Sequence, residues 1–248
     1  MATSYRPQAT DTPSWQWRAS PAVLRRAMRV GRRSTAGLAL HCQLGVSVAC
    51  GRYDVAMRQA FEAVRLYAAH HPRFPVLAHD VAFAIAGQGY HSSAIPVLVR
   101  TLPLLGEARE RILVLATLAR AAGAAGDRVR FERAAAQVLR MAEESTEMAE
   151  SSIYQVAQGA RSFEQWERAD GLARQALVLA EETGNGYIAG AARSLIGAVA
   201  ERVPGDADVV PDEGGEVDAL VELLLCRLEK HTAPPDGRAV PVEKFPVY

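Results

Sequence analysis

A pattern of paired amphipathic helices, repeated every 37 or 38 residues, most constrains what this chain can fold into. The clearest copy spans residues 151–185, where two helices with apolar stripes flank a tight turn. Aligning the copies places Ala56, Ala94, Phe131 and Ala169 at equivalent positions, with steps of 38, 37 and 38 residues. Because one helical hairpin cannot bury both of its stripes, neighbouring copies must stack on each other. The sequence therefore predicts an all-α, right-handed α-solenoid.

The repeats predict about five helical pairs followed by a capping helix. The first four pairs are expected at residues 36–70, 74–105, 107–143 and 151–185. A fifth pair begins with a helix over residues 186–203. Residues 204–215, which are rich in Pro, Gly and acids, are expected to form an irregular loop. A strongly apolar helix over residues 217–231 then completes the fifth pair and caps the stack.

The helical array is expected to form one domain over residues 20–231. Residues 1–19 and 232–248 lack hydrophobic periodicity, so they are predicted to be disordered tails. Trp15 and Trp17 lie in the first tail, and we expect them to dock on the chain's own first helix or on a partner.

Composition is typical of a close-packed helical protein. The hydrophobic content is 49% but the aromatic content only 6%, and the formal net charge is zero, so no overall field favours nucleic acid or a membrane. The three cysteines are an odd number without CxxC spacing, which is typical of a reducing compartment. The given sequence does not start with the charged and then apolar pattern of a signal sequence, and it contains no apolar run of about twenty residues. We expect a cytoplasmic protein without a membrane segment and without direct nucleic-acid binding.

Small residues recur at fixed places within the repeats. They occur in Gly51–Ala56 with Ala63, in Leu118 and Ala119 with Gly126 and Asp127, and in Ala157 with Trp166, Ala169 and Ala176. In this respect residues 36–203 resemble tetratricopeptide repeats. Leu115 and Ile153 stand where that family has Trp, and Phe131 stands where it has Ala. The long step is similar to the repeat arrays of bacterial helix-turn-helix transcription regulators.

The resemblance implies that the first helix of each pair lines a concave groove that binds a protein or peptide. The residues that it places in this groove are His41, His79, Phe83, Arg120, Tyr154, Gln158, Arg161 and Arg193. Gln can bind backbone amides and Arg a carboxylate, so these side chains suit an extended peptide. Two alternatives stay open: a merely solvated face, and a groove filled by helix 217–231 in place of a ligand.

No group of residues predicts catalysis. Gly45–Ala49 approximates a nucleophile elbow but lies within a predicted helix. Gly184–Gly186 fits a turn better than a dinucleotide loop, and His70 and His71 lack the further ligands that zinc requires. We therefore expect no enzymatic activity, no cofactor and no metal.

Charge is segregated between the two ends of the chain. Residues 1–33 hold seven arginines and one acid, whereas residues 201–222 hold eight acids and one arginine. This pattern is compatible with head-to-tail association into a homo-oligomer or with the steering of a partner, but a solvated arginine surface is the simpler interpretation because surface ion pairs are individually weak. The resulting hypothesis is a non-enzymatic scaffold or sensor in a bacterial regulatory system. The alternative is the ligand-sensing half of a transcription regulator that lacks its own DNA-binding domain.

Overall fold

The structure of the protein is a computed structural model that describes residues 21–68, 70–209 and 215–232. The predicted tails, with Trp15 and Trp17, lie outside these residues, except for Thr232, which is the last residue of a helix rather than part of a tail. The chain divides after Ala68 into two compact units, residues 1–68 and 69–248. The division falls just before Pro72, which the sequence places between the first and second helical pairs.

The residues that the structure describes contain only helices and connections, which confirms the all-α prediction. The first unit contains α1 (Pro21–Arg29), α2 (Arg33–Ala49) and α3 (Tyr53–Leu66). The second unit contains α4 (Phe74–Gly87), α5 (His91–Thr101), α6 (Ala108–Ala124), α7 (Arg128–Glu144), α8 (Ala149–Ser162), α9 (Trp166–Glu182), α10 (Gly186–Ala200) and α11 (Glu216–Thr232), with a 3-10 helix at Leu102–Leu104.

In the first unit, α2 packs against both α1 and α3. Small buried residues such as Ala56, Ala60 and Ala63 bring α2 and α3 close together. A Cβ atom at Gly37 would lie 2.8 Å from Cδ2 of Tyr67. Because glycine has no Cβ atom, it leaves space for the tyrosine ring in the core.

In the second unit, consecutive helices pack on one another in a solenoid-like arrangement. α4 with α5, α6 with α7, and α8 with α9 form three hairpins, and α5 packs on α6, α7 on α8, and α10 on α9. The predicted repeat register is confirmed across both units. Ala56, Ala94, Phe131 and Ala169 are each the fourth residue of a second helix, and each is fully buried.

The turns inside the hairpins share a left-handed residue two positions before the second helix. Gly51, Gly89 and Gly126 hold this position with φ of 68°, 94° and 75°. Glycine has no Cβ atom to clash in this conformation, and the turn ends the preceding helix. In the hairpin of α8 and α9 the position is held by Glu164, with φ of 56°.

The first helices α6 and α8 approach each other at a pair of glycines. A Cβ atom at Gly123 would lie 2.5 Å from the Cα atom of Gly159, and one at Gly159 would lie 2.8 Å from the carbonyl oxygen of Ala119. Only glycine fits on either side of this contact. The closeness of α6 and α8 therefore depends on these two residues, and it fixes the spacing of side chains nearby.

The last helix does not pack where the sequence predicted. α11 packs on α5 and, less extensively, on α4, rather than on α10 as the second helix of a fifth pair. Leu220, Leu224 and Leu228 form a buried stripe at four-residue spacing, and Arg100 of α5 makes an ion pair with Glu229 at 2.9 Å. The physical reason is that an apolar stripe specifies burial but not which of several helices will cover it.

Candidate functional site

Two arginines on adjacent helices of the second unit converge on one carboxylate. Arg120 of α6 comes three residues before Gly123, and Arg161 of α8 comes two residues after Gly159, so both lie near the glycine contact between these helices. The side chain of each arginine is only 15% exposed. Arg120 Nη2 lies 3.4 Å from Asp206 Oδ2, and Arg161 Nη2 lies 3.6 Å from Asp206 Oδ1. We call the surface formed by Arg120, Tyr154, Gln158 and Arg161 the arginine face.

The other two members of the arginine face are a tyrosine and a glutamine of α8. Tyr154 packs against Ala180, Ile188 and Ala189, and burial raises the pKa of its phenol above the ordinary value. Gln158 holds its Oε1 atom buried, with no hydrogen-bond partner among the described residues. The Nε atoms of Arg120 and Arg161 are also buried and also have no hydrogen-bond partner among the described residues. The face therefore contains three buried polar atoms whose hydrogen-bonding capacity is unused among the described residues.

Two further predicted residues lie on α4 beside this face. His79 Nε2 lies 3.1 Å from Thr117 Oγ1 on α6, and His79 Nδ1 lies 2.9 Å from Asp80 Oδ1. The ring of Phe83 is 6.4 Å from the ring of His79. Arg120 comes three residues after Thr117, so it lies on the same side of α6 as the contact with His79.

The remaining two predicted residues have other surroundings. His41 lies on α2 in the first unit, where it is buried and its Nδ1 is 3.3 Å from the hydroxyl of Tyr67. Arg193 lies on α10, where it is exposed and makes an ion pair with Glu181 of α9. Six of the eight predicted residues thus come from α4, α6 and α8 of the second unit.

The stretch from Val203 to Val209, which we call the internal segment, crosses the arginine face without regular secondary structure. Besides the contacts of Asp206, the backbone N–H of Val209 donates to the carbonyl oxygen of Gly89 at 2.8 Å. The Asp208 carboxylate accepts hydrogen bonds from the backbone N–H of Ser92, at 3.0 Å, and from its hydroxyl. Residues 203–209 thus connect α6 and α8 with the start of α5.

A buried histidine lies at this end of α5. His91 is fully buried, and neither of its ring nitrogens has a hydrogen-bond partner among the described residues. Burial lowers the pKa of His91 below the ordinary value, and the charge of Arg120 lowers it further, whereas the carboxylates of Asp206 and Asp208 oppose this. The ring is therefore neutral at pH 7 and belongs to the packing under the internal segment.

Sequence reasoning missed Gly89, Ser92, Asp206 and Asp208 as members of the site. Two signals were available. The cap position before α5 is Tyr90, which has no side-chain hydrogen bond, so this helix start needs a partner from elsewhere. The acidic stretch that includes Asp206 and Asp208 stands out in a chain of zero net charge.

Neither a metal site nor a membrane-spanning helix is found among the described residues. Among the described residues no group of three or more His, Cys, Asp or Glu side chains is arranged to hold a metal ion. In the same part of the chain, no helix is both long and apolar enough to cross a membrane.

Comparison with known proteins does not name a family. No protein-family model matches the sequence, and a search of curated proteins finds no match.

Proposed function

We propose that this protein is a non-enzymatic, tetratricopeptide-like binding module that holds an extended, acidic protein segment on its arginine face. The observation that carries the proposal is the internal segment, an extended stretch of the chain whose Asp206 contacts both Arg120 and Arg161. A surface that holds one extended acidic segment has the chemistry to hold another.

The arginine face has the positive charge and the hydrogen-bond donors that an acidic ligand requires. Two guanidinium groups face one carboxylate there. Arginine donates through several N–H groups at once, so it binds carboxylates with defined geometry. Hydrogen bonds to charged groups contribute about 1.5–3 kcal/mol each, so the loss of both arginines would abolish binding of a short peptide.

The proposed setting is the cytoplasm, where the module would act as a scaffold or sensor in a regulatory system. The three cysteines, all within the described residues, form no disulfide, which fits a reducing compartment. The repeat register, with a buried small residue or Phe131 at the fourth position of each second helix, supports the likeness to tetratricopeptide repeats.

Selection from a random peptide library displayed on phage tests the proposal. The baits are the full chain, an Arg120→Gln/Arg161→Gln variant, and a control variant, Arg109→Gln/Arg174→Gln. Arg109 and Arg174 lie in the same unit and each makes an exposed ion pair, so the control changes the net charge equally. We expect the full chain and the control to enrich acidic peptides and the Arg120/Arg161 variant to enrich none. Enrichment that is unrelated to acidic residues, or that is equal on all three baits, would refute the proposal.

A further inference from the structure

We propose that the internal segment is an intramolecular ligand of the arginine face, and that the external partner presents the same pattern, Gly-Asp-X-Asp-Val, in an extended segment. This inference rests on the proposed function. It adds the sequence pattern that the arginine face recognises, and it identifies the internal segment as the competitor that a partner must displace. Each position of the pattern follows from a contact of residues 205–209.

The first position requires glycine. A Cβ atom at Gly205 would lie 2.7 Å from the Cα atom of Ser162 and 2.8 Å from its backbone nitrogen. These atoms belong to the backbone at the end of α8, so they cannot rotate away as a side chain could. Any ligand with a side chain at this position must stand off from α8, and it would lose the approach that brings the next residue to the arginines.

The second and fourth positions require carboxylates. Asp206 contacts Arg120 and Arg161, while Asp208 accepts hydrogen bonds from the backbone N–H and the hydroxyl of Ser92 at the start of α5. Ala207 between them is exposed, so the third position accepts any residue. The start of α5 also favours a negative charge through the helix dipole.

The last position combines a backbone hydrogen bond with a close apolar contact. The N–H of Val209 donates to the carbonyl oxygen of Gly89 at 2.8 Å. A Cβ atom at Gly89 would lie 2.9 Å from Cγ2 of Val209, so the glycine leaves room for a branched side chain. The backbone bond fixes the register of the ligand, and the valine adds apolar contact.

The internal segment fills this site incompletely. Asp206 is 46% exposed, and the Nε atoms of both arginines and Oε1 of Gln158 stay buried without a partner among the described residues. An external ligand with two more acceptors and one donor at this place would satisfy the two Nε–H groups and the Oε1 atom that the internal segment leaves unsatisfied. Such a ligand can displace the internal segment even though the internal segment is covalently attached.

Binding of a short peptide to variants of the full chain tests the inference. The probe is a fluorescent peptide with the sequence of residues 203–209, VPGDADV, and the controls carry Asn in place of both Asp residues or Ala in place of Gly. The proteins are the natural chain and Gly205→Ala, which forces the internal segment away from α8 without any change in charge. Fluorescence anisotropy gives Kd for each combination.

We expect the probe to bind Gly205→Ala about tenfold or more tightly than the natural chain, because a site that is occupied nine-tenths of the time has a tenfold weaker apparent affinity. Both control peptides should bind at least about tenfold more weakly than the probe. Adding Arg120→Gln/Arg161→Gln to Gly205→Ala should abolish binding. If circular dichroism shows that Gly205→Ala is unfolded, Asp206→Asn/Asp208→Asn replaces it with the same expected gain.

The outcomes separate this inference from the proposed function. Equal affinity of the probe for the natural chain and the released variants would overturn the role of residues 203–209 as a competitor. Equal affinity of the probe and the Asn control would overturn the pattern. If the probe binds no variant while the phage selection still yields acidic peptides, the inference falls and the proposed function stands.

Discussion

Replacing Gly123 by Ala tests the contact between α6 and α8 on which the arginine face depends. The added Cβ atom would lie 2.5 Å from the Cα atom of Gly159 and 2.7 Å from its carbonyl oxygen. Carbon atoms in contact are normally about 3.5–4.0 Å apart. Because both sides of the contact are helix backbone, no side chain can rotate to relieve it, and the helices must separate by roughly 1 Å.

The expected cost follows from two opposing effects. Overpacking of this kind costs about 1–3 kcal/mol, since a gap of that size loses a quarter to a half of the dispersion energy across the interface. The better helix propensity of alanine returns at most about 1 kcal/mol, and less near the end of a helix, where Gly123 lies. The cost lies near the upper end of its range because the contact is backbone on backbone. We therefore expect the free energy of unfolding to fall by about 2 kcal/mol.

Gly171→Ala in α9 is the matched control. Gly171 is exposed and has nothing within 4 Å of its Cβ position, so this substitution should raise the free energy of unfolding by about 0.5–1 kcal/mol. Urea denaturation followed by circular dichroism measures both variants. Hydrogen exchange should be faster in Gly123→Ala at Val209, because separated arginines hold the internal segment less well. A Gly123→Ala protein as stable as Gly171→Ala would refute the glycine contact.

Three further expectations concern the core, a helix start and pH. Phe131→Ala should lower the free energy of unfolding by about 3–5 kcal/mol in urea denaturation, because the ring is fully buried and packs 5.3 Å from the ring of Phe163. Asp127→Ala should lower the melting temperature by an amount that corresponds to about 1 kcal/mol, because Asp127 accepts the backbone N–H of Arg130 at the start of α7. His91 has a pKa below its ordinary value of 6.5, mainly through burial, so the unfolded state binds more protons in the range just below pH 6.5. Stability should therefore fall from pH 7 to pH 5.5 in urea titrations, and it should fall less in His91→Gln.

The repeat architecture was predictable because its signals are local. Each second helix is preceded, two positions before its start, by a residue in the left-handed conformation, and its fourth residue is buried. Gly126 and Phe131 hold these two positions in the hairpin of α6 and α7. These features depend on neighbours within about five residues, so the sequence carries them completely. The same locality explains why most of the predicted groove residues fall on the first helices of the second unit.

The occupant of the arginine face was not predictable in the same way. Asp206 meets Arg120 and Arg161, which are far away along the chain, and the 28 Lys and Arg residues offer many alternative partners for one carboxylate. The stripe of Leu220, Leu224 and Leu228 predicted a buried helix, but α5, α4 and α10 were equally open partners for it. Long-range pairing depends on packing geometry that composition and periodicity do not contain.

The docking of α11 decides how a partner can compete for the arginine face. The internal segment continues from α10 on one side and leads towards α11 on the other, and α11 is held on α5 and α4 by its leucine stripe. A partner that displaces residues 203–209 does not break these contacts, so the displaced segment stays tethered at both ends. Its effective concentration remains high, of the order of millimolar. A partner that made only the contacts of the internal segment would therefore bind weakly, and useful affinity must come from the atoms that the segment leaves unsatisfied, Nε of Arg120 and Arg161 and Oε1 of Gln158.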